Sequence, residues 1–256
     1  MGSLRLLLRS ARLLGTVLWG LLAVLAVYPL VSAAGQLAIK RSWSRQMLKA
    51  CGLAFEIQAA PDGVIEPQPG ELVVMNHISF IDILALDALR PVHFIAKSEI
   101  RKWPVIGILC DRTGTIFIER GKRRAVHDVL KTMANELRQG EVVSFFPEGT
   151  TSDGRQLLPF HANLFEAAVR SGAPVRPVVI RYLQRDEPSI IPAYIDDLSL
   201  VDCTLAVFRA SGLRVQMRLL ASIPSQGLTR HELAAQVRQA MLHSSEVPLA
   251  DLARSV

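Results

Sequence analysis

The stretch ELVVMNHISFID at residues 71–82 decides the fold, because a short apolar run passes directly into a polar turn. The nearly all-apolar run at residues 71–75 predicts a buried strand. Ser79 is a good N-cap residue with Asp82 three positions later, which predicts a helix start. A strand that leads through a polar loop into a helix is typical of α/β domains, where chemistry lies on loops at strand ends.

Strands and helices alternate along the rest of the chain. Val126, Leu130, Met133 and Leu137 recur on one helical face, and Gly140 then ends that helix. The alternation predicts an α/β domain with a central, mostly parallel or mixed sheet flanked by helices. Further strands are predicted at residues 53–59, 92–96, 115–119, 141–146, 175–182 and 214–220, and further helices at 161–171 and 229–243.

The amino-terminal segment is apolar and uncharged over residues 13–39. Its apolar run is long enough to cross a hydrocarbon core of about 30 Å and is longer than a secretory signal peptide needs. Basic residues flank both ends, so a spanning helix and a monotopic or re-entrant hairpin both fit. We therefore predict a membrane anchor at residues 1–40, the α/β domain at 41–245 and a tail at 246–256.

Composition narrows the class of partner. The 256 residues are 50% hydrophobic, carry a formal net charge of +6 and have a mean hydropathy of +0.29, which indicates a membrane-associated protein with an acidic partner. A nucleic acid is disfavoured because no interleaved basic–aromatic patch is found. Cys51, Cys110 and Cys203 are far apart and lack metal-ligand spacing, so we expect reduced thiols and no metal site.

His77 and Asp82 form the first candidate catalytic cluster. On one regular helix they would be about 140° apart and could not meet. They can meet if His77 lies in the loop and Asp82 lies in the first helical turn. A neutral imidazole can then take a proton from a hydroxyl, while the carboxylate fixes its tautomer and stabilises the imidazolium. A structural histidine and a simple helix cap are the alternatives at this point.

Three further clusters follow along the chain. The sequence GTIFIER at residues 114–120 is a strand that ends in cations, which predicts either a phosphate site or a solvated basic helix start. The sequence FPEGTTSDG at 146–154 predicts a tight turn, either alone or as part of a pocket for a polar head group. The sequence PVRPV at 174–178 favours an edge or irregular strand because of its prolines.

In this order and spacing, NHxSxxD at 76–82, GxxFIxR at 114–120 and FPEGT at 146–150 make the sequence resemble the glycerolipid acyltransferase family, of the lysophosphatidate acyltransferase type. The resemblance covers residues 72–179. It implies that His77 is the general base and Asp82 its orienting partner. It also implies direct attack of a hydroxyl on a thioester, without an acyl-enzyme, metal or cofactor. The substrate-binding residues that it implies are Asn76, Ser79, Gly114, Arg120, Pro147, Glu148, Gly149 and Thr150.

The implied activity is 1-acylglycerol-3-phosphate O-acyltransferase, which forms phosphatidate from an acyl carrier protein or coenzyme A thioester. The resemblance implies membrane lipids as surroundings, no nucleic-acid partner, and a catalytic domain on the cytoplasmic face of the inner membrane. Thr151 stands where the family usually has Arg, and His161 where a Lys is common. Both departures remove a cation, so lyso-ornithine lipid, which has no phosphate, is the alternative acceptor. A non-catalytic lipid-binding membrane protein is the alternative of another class.

Overall fold

The computed structural model describes residues 2–119, 123–195 and 198–246, and it has the predicted α/β architecture. One mixed sheet is flanked by helices on both faces. The strands are β1 (Leu53–Gln58), β2 (Leu72–Met75), β3 (His93–Lys97), β4 (Ile116–Ile118), β5 (Val143–Phe145), β6 (Val175–Gln184), β7 (Glu187–Pro188) and β8 (Leu213–Leu219). The helices are α1 (Gly2–Leu22), α2 (Ala33–Cys51), α3 (Ile81–Leu89), α4 (Ile106–Arg112), α5 (Arg123–Arg138), α6 (Glu166–Ser171), α7 (Leu200–Arg209) and α8 (Arg230–Glu246).

The sheet is mostly parallel. Its strand order is β1-β8-β6-β2-β5-β3-β4, with the short β7 paired to β6. Neighbouring strands are parallel except where β6 runs antiparallel to β8 and to β7. Alternate residues of β2 point into two separate apolar cores. Val73 and Met75 pack with α2, α3 and α7, whereas Leu72 and Val74 pack with α5, α6 and α8. Because β2 is the fourth of the seven strands in this order, its carboxyl end lies in the middle of the sheet.

Two predicted elements differ from the structure. Residues 161–171 begin as a 3-10 turn, Ala162–Phe165, and become α-helical only in α6. The PVRPV segment is not an edge strand, because β6 lies between β2 and β8. Its prolines are tolerated since the ladder with β8 begins only at Val178, after Pro177.

The amino-terminal segment folds as a helical hairpin against the domain. α1 continues through a π-helical turn (Ala23–Val27) and a 3-10 turn (Tyr28–Leu30), after which Ser32 caps α2. The two helices approach closely at Gly20, where a Cβ would lie 2.5 Å from the indole nitrogen of Trp43. That indole donates to the carbonyl of Thr16 at 2.8 Å. α1 and α2 thus pack as a helical hairpin, and the choice between a spanning and a monotopic anchor stays a prediction.

α1 also lies along the catalytic domain. Arg9 Nη1 donates to the carbonyls of Val207, Phe208 and Ala210, at the carboxyl end of α7, at 2.8–3.2 Å. Among the described residues, one helical segment is long and apolar enough to cross a membrane, Leu4–Leu30, and 22% of its most apolar part is buried. Its solvent-facing side exposes Leu4, Leu7, Leu8, Leu14, Leu18, Trp19, Leu22, Leu25 and Leu30.

The predicted boundary between anchor and domain at residue 40 falls inside a helix, and the predicted domain boundaries stay predictions. α2 crosses the boundary at residue 40, and Lys40 forms a buried ion pair with Asp87 of α3 at 3.2 Å. The hairpin and the α/β domain thus share packing at the proposed boundary. Apart from residue 246, the predicted tail lies outside the described residues.

Candidate active site

His77 and Asp82 meet at the carboxyl end of β2. His77 lies in the loop that follows the strand, and Asp82 lies in the first turn of α3, as the sequence predicted. Nδ1 of His77 is 2.8 Å from Oδ2 of Asp82. The Phe146 ring stacks on the imidazole with centroids 3.7 Å apart and planes inclined by 10°. The imidazole is therefore held both at one nitrogen and across one face.

The carboxylate of Asp82 is completely buried and hydrogen-bonded through both oxygens. Oδ2 also accepts the backbone N–H groups of Ile78 and Ser79, at 2.7 and 2.9 Å. Oδ1 accepts the hydroxyl of Tyr182, on β6, at 2.6 Å. A buried carboxylate with this many donors stays in one orientation and presents a fixed acceptor to the imidazole.

Ser79 does not cap α3 in the predicted way. The helix begins at Ile81, and the Ser79 hydroxyl accepts the Ile81 N–H at 3.3 Å. The Asp82 N–H bonds instead to the backbone carbonyl of Ser79. Asp82 forms the other half of the predicted capping box, since its carboxylate accepts the Ser79 N–H.

Two of the predicted substrate-binding side chains have structural partners. The Asn76 amide donates to the carbonyl of Ile180 at 3.1 Å and accepts its N–H at 2.8 Å, which fastens the end of β2 to β6. Ser79 is fully buried. Both side chains thus position the loop that carries His77 rather than face a substrate.

Glu148 organises the same loop from the turn after β5. It is 4% exposed, and its two carboxylate oxygens accept the N–H groups of His77 and Leu158, each at 2.9 Å. Burial raises the pKa of this carboxyl, while the two N–H donors act in the opposite direction. Pro147 beside it is buried, whereas Gly149 is half-buried and Thr150 is exposed. Gly149 and Thr150 are the members of this turn that a bound head group could reach.

Ser152 and Tyr194 also hold the His77 loop, through backbone hydrogen bonds. The N–H of Ser152 donates to the carbonyl of His77 and the N–H of Tyr194 donates to the carbonyl of Ile78, both at 2.8 Å. The hydroxyl of Thr151 donates to the carbonyl of Tyr194. Thr151, the residue that replaces the family's usual Arg, thus joins two loops.

Gly114 lies near the amino-terminal ends of the parallel strands, whereas His77 follows the carboxyl end of β2. It precedes β4 with φ +82°, and a Cβ there would lie 2.5 Å from the His93 ring. His93 and Leu72 both pair with Val143, so Gly114 is level with the start of β2. His77 is five residues beyond Leu72, a rise of roughly 16 Å along the strand. The structure does not bring Gly114 to the dyad, and the predicted Arg120 lies outside the described residues.

The arrangement suits proton transfer at an accessible imidazole. The His77 side chain is 18% exposed while its carboxylate partner is fully buried. Nδ1 is hydrogen-bonded to Asp82, so Nε2 is the nitrogen that can accept a proton from a bound hydroxyl. Sequence reasoning missed Tyr182, Phe146 and the Tyr194 segment, because no motif spacing marks their approach to His77.

The chain is similar to known proteins over most of its length. A family model described as Acyltransferase matches residues 58–181. A lyso-ornithine lipid O-acyltransferase of Pseudomonas aeruginosa is 38% identical over 245 residues, covering 94% of this chain and 93% of that protein. A 1-acyl-sn-glycerol-3-phosphate acyltransferase of Neisseria meningitidis serogroup B is 38% identical over 175 residues, covering 68% and 67%.

A solved structure shares the fold. The crystal structure of the 1-acyl-sn-glycerophosphate acyltransferase PlsC from Thermotoga maritima aligns with a TM-score of 0.55 at 18% identity, covering 94% of this chain and 99% of that one. The nearly full-length match to the Pseudomonas relative shows that the chain belongs to the acyltransferase family. The resemblance that the three motifs indicated is thereby confirmed.

Proposed function

We propose that this enzyme transfers a fatty acyl group from a thioester to the free hydroxyl of a lysolipid. The observation that carries the proposal is the His77–Asp82 contact of 2.8 Å, with the carboxylate buried and the imidazole reachable from solvent. Acyltransferases named for lysolipid acceptors match this chain over most of its length.

In the proposed reaction, Nε2 of His77 takes the proton of the acceptor hydroxyl while its oxygen attacks the thioester carbonyl carbon. Asp82 stabilises the resulting imidazolium through Nδ1. The tetrahedral intermediate then collapses, the carbon–sulfur bond breaks, and the departing thiolate recovers the proton from the imidazolium. The products are the acylated lipid and the free thiol of the carrier, and His77 is neutral again without any metal or cofactor.

For the acceptor we favour lyso-ornithine lipid. The Pseudomonas relative named for that acceptor matches over 94% of this chain, whereas the Neisseria relative matches over 68%. Thr151 stands where the family usually has a cationic side chain, and its hydroxyl donates to the backbone carbonyl of Tyr194. A pocket with fewer cations suits a zwitterionic head group better than a phosphate.

Lysophosphatidate is the second candidate acceptor. The Neisseria relative is equally identical over its matched region and carries that activity in its name. The exposed Arg155, in the turn that follows Thr151, provides a cation that a phosphate group could use. For the donor we propose acyl carrier protein or coenzyme A thioesters, which places the catalytic domain on the cytoplasmic face of the inner membrane.

A competition assay tests the acceptor. Purified enzyme receives one labelled acyl thioester together with equal amounts of lyso-ornithine lipid and lysophosphatidate, and the two products are separated. We expect the acylated ornithine lipid to dominate. Predominant formation of phosphatidate would reverse the order of the two acceptors, and absence of either product would refute lysolipid acyl transfer.

We also propose that the hairpin rests in one leaflet of the membrane. Arg9 fastens the first half of α1 to α7, so this half lies beside the catalytic domain instead of projecting away from it. The exposed face of α1 then offers leucines to the lipid. The double substitution Leu14→Glu/Leu18→Glu should reduce sedimentation with lipid vesicles, whereas Leu198→Glu, at another exposed leucine, should not. Unchanged sedimentation of the double variant would contradict the proposal.

A further inference from the structure

Tyr182 contacts the catalytic dyad from a distant part of the chain. Its hydroxyl donates to Oδ1 of Asp82 at 2.6 Å, across 100 positions of sequence. Tyr182 is 3% exposed and lies in β6, in register with Val215 of β8. β6 extends beyond the end of β2, where Met75 pairs with Val178, so this part of β6 flanks the His77 loop.

The two oxygens of Asp82 differ in their partners. Oδ2 accepts three N–H donors, from His77, Ile78 and Ser79. Within the described ranges, Oδ1 has a single partner, the Tyr182 hydroxyl. Without it, Oδ1 would be a buried and unsatisfied carboxylate oxygen, and the carboxylate would be held through Oδ2 alone. Tyr182 therefore adds a contact on the second oxygen that restrains the carboxylate in the orientation facing the imidazole.

The surroundings of the phenol keep it a hydrogen-bond donor. The Ser79 hydroxyl, which accepts the Ile81 N–H at 3.3 Å, acts to lower the pKa of Tyr182, but this effect is smaller than that of burial. Burial raises the pKa of Tyr182 well above its ordinary value, with the nearby Asp82 charge acting in the same direction. The phenol therefore stays protonated at neutral pH and remains a donor.

We propose that Tyr182 is a positioning residue of this acyltransferase, which holds the Asp82 carboxylate in the orientation that His77 needs and shares its negative charge. This role rests on the proposed acyl transfer by His77. Tyr182 acts through Asp82 and is not itself expected to touch a substrate, so its loss should change the rate constant for turnover and leave substrate binding largely intact.

The test compares Tyr182→Phe with wild type and with a matched control. Tyr28→Phe removes another buried tyrosine hydroxyl, which donates to the carbonyl of Gln36 at 3.2 Å in the hairpin and is remote from the dyad. For Tyr182→Phe we expect kcat to fall about tenfold, as for loss of a hydrogen bond to a charged group, with both KM values nearly unchanged. For Tyr28→Phe we expect wild-type kcat.

The pH–rate profile provides a readout that a purely structural role would not change. The titratable groups that face the cluster are His77 on its loop, Glu148 on the turn after β5 and Cys203 on α7. In Tyr182→Phe the Asp82 carboxylate no longer shares its charge with a phenol, so it holds the imidazolium proton more strongly. We expect the acid limb of the profile to move to higher pH.

The outcomes separate the possible roles. A lower kcat with unchanged KM and a shifted acid limb supports positioning. Wild-type kinetics in Tyr182→Phe, a rise in KM alone, or a loss of activity that only follows loss of folded protein in thermal melts would each overturn the inference. If wild type itself transfers no acyl group to either lysolipid, the proposed function fails instead, so the two failures are distinguishable.

Discussion

The substitution Asp82→Asn removes the charge of the dyad while retaining its geometry. In this variant the side-chain amide oxygen, placed where Oδ2 lies, can still accept the N–H groups of Ile78 and Ser79 and the Nδ1–H of His77. The amide NH₂ group would face Tyr182, whose oxygen can accept a hydrogen bond. The variant should therefore fold, and the lost function is stabilisation of the imidazolium.

The expected loss can be worked out from the contact. With Nδ1 and Oδ2 at 2.8 Å, the centres of the two delocalised charges are about 4 Å apart, which corresponds to about 4 kcal/mol at an effective dielectric constant of about 20. Since each 1.36 kcal/mol changes a rate about tenfold, kcat should fall about 10³-fold. KM should change little, because the imidazolium exists only after proton transfer has begun.

The assay measures kcat and KM with a labelled acyl thioester and a saturating lysolipid acceptor, and thermal melting verifies folding. Asp87→Asn is the matched control, since Asp87 is a second buried carboxylate on α3 but pairs with Lys40 at 3.2 Å, away from His77. Its kcat per folded molecule should equal that of wild type. If Asp82→Asn retained more than a tenth of the wild-type kcat, electrostatic assistance by Asp82 would be refuted.

Two further substitutions probe the loop that carries His77. Gly154→Ala should lower both kcat and the melting temperature, because Gly154 has φ +76° and a Cβ would lie 2.5 Å from Cδ1 of Ile78. Gly63→Ala is the control: Gly63 has φ +79°, but no atom lies within 4 Å of the added Cβ, so this variant should lower only stability. The Glu148 carboxyl has a pKa raised by burial, so its contribution to stability is present below its ordinary value of 4.5 and is lost as pH rises through the folded value. In urea melts, wild type should therefore lose stability relative to Glu148→Gln as pH rises above about 4.5, and an opposite trend would contradict the assigned burial effect.

The sequence contained enough information to bring His77 and Asp82 together. An apolar strand, a polar loop and a helix start follow one another within twelve residues, and this local geometry allows the two side chains to meet. The identity of the contacts around Asp82 was not predictable in this way. Tyr182 is one aromatic residue in an apolar strand, and its approach depends on the pairing of β6 with β2.

Strand register explains the other differences. GxxFIxR was interpreted as one head-group cluster, yet Gly114 precedes β4 and lies level with the start of β2. A sequence pattern identifies a strand but does not state which end of its neighbours each residue reaches. Likewise, the prolines of PVRPV favoured an edge, whereas the ladder of β6 with β8 begins just after them. The position of α1 along the catalytic domain depends on tertiary contacts, such as those of Arg9 with α7, and the hydropathy of the segment does not predict such contacts.

The most direct measurement of the central claim is acyl transfer by His77→Ala. The variant should remain folded and bound to membranes, because the loop is held by backbone bonds to Glu148 and Ser152 that do not involve the imidazole. Loss of a general base should lower kcat by about 10²–10⁴-fold, with acceptor and donor still bound. Acyl transfer by His77→Ala at the wild-type rate would show that the imidazole is not the base.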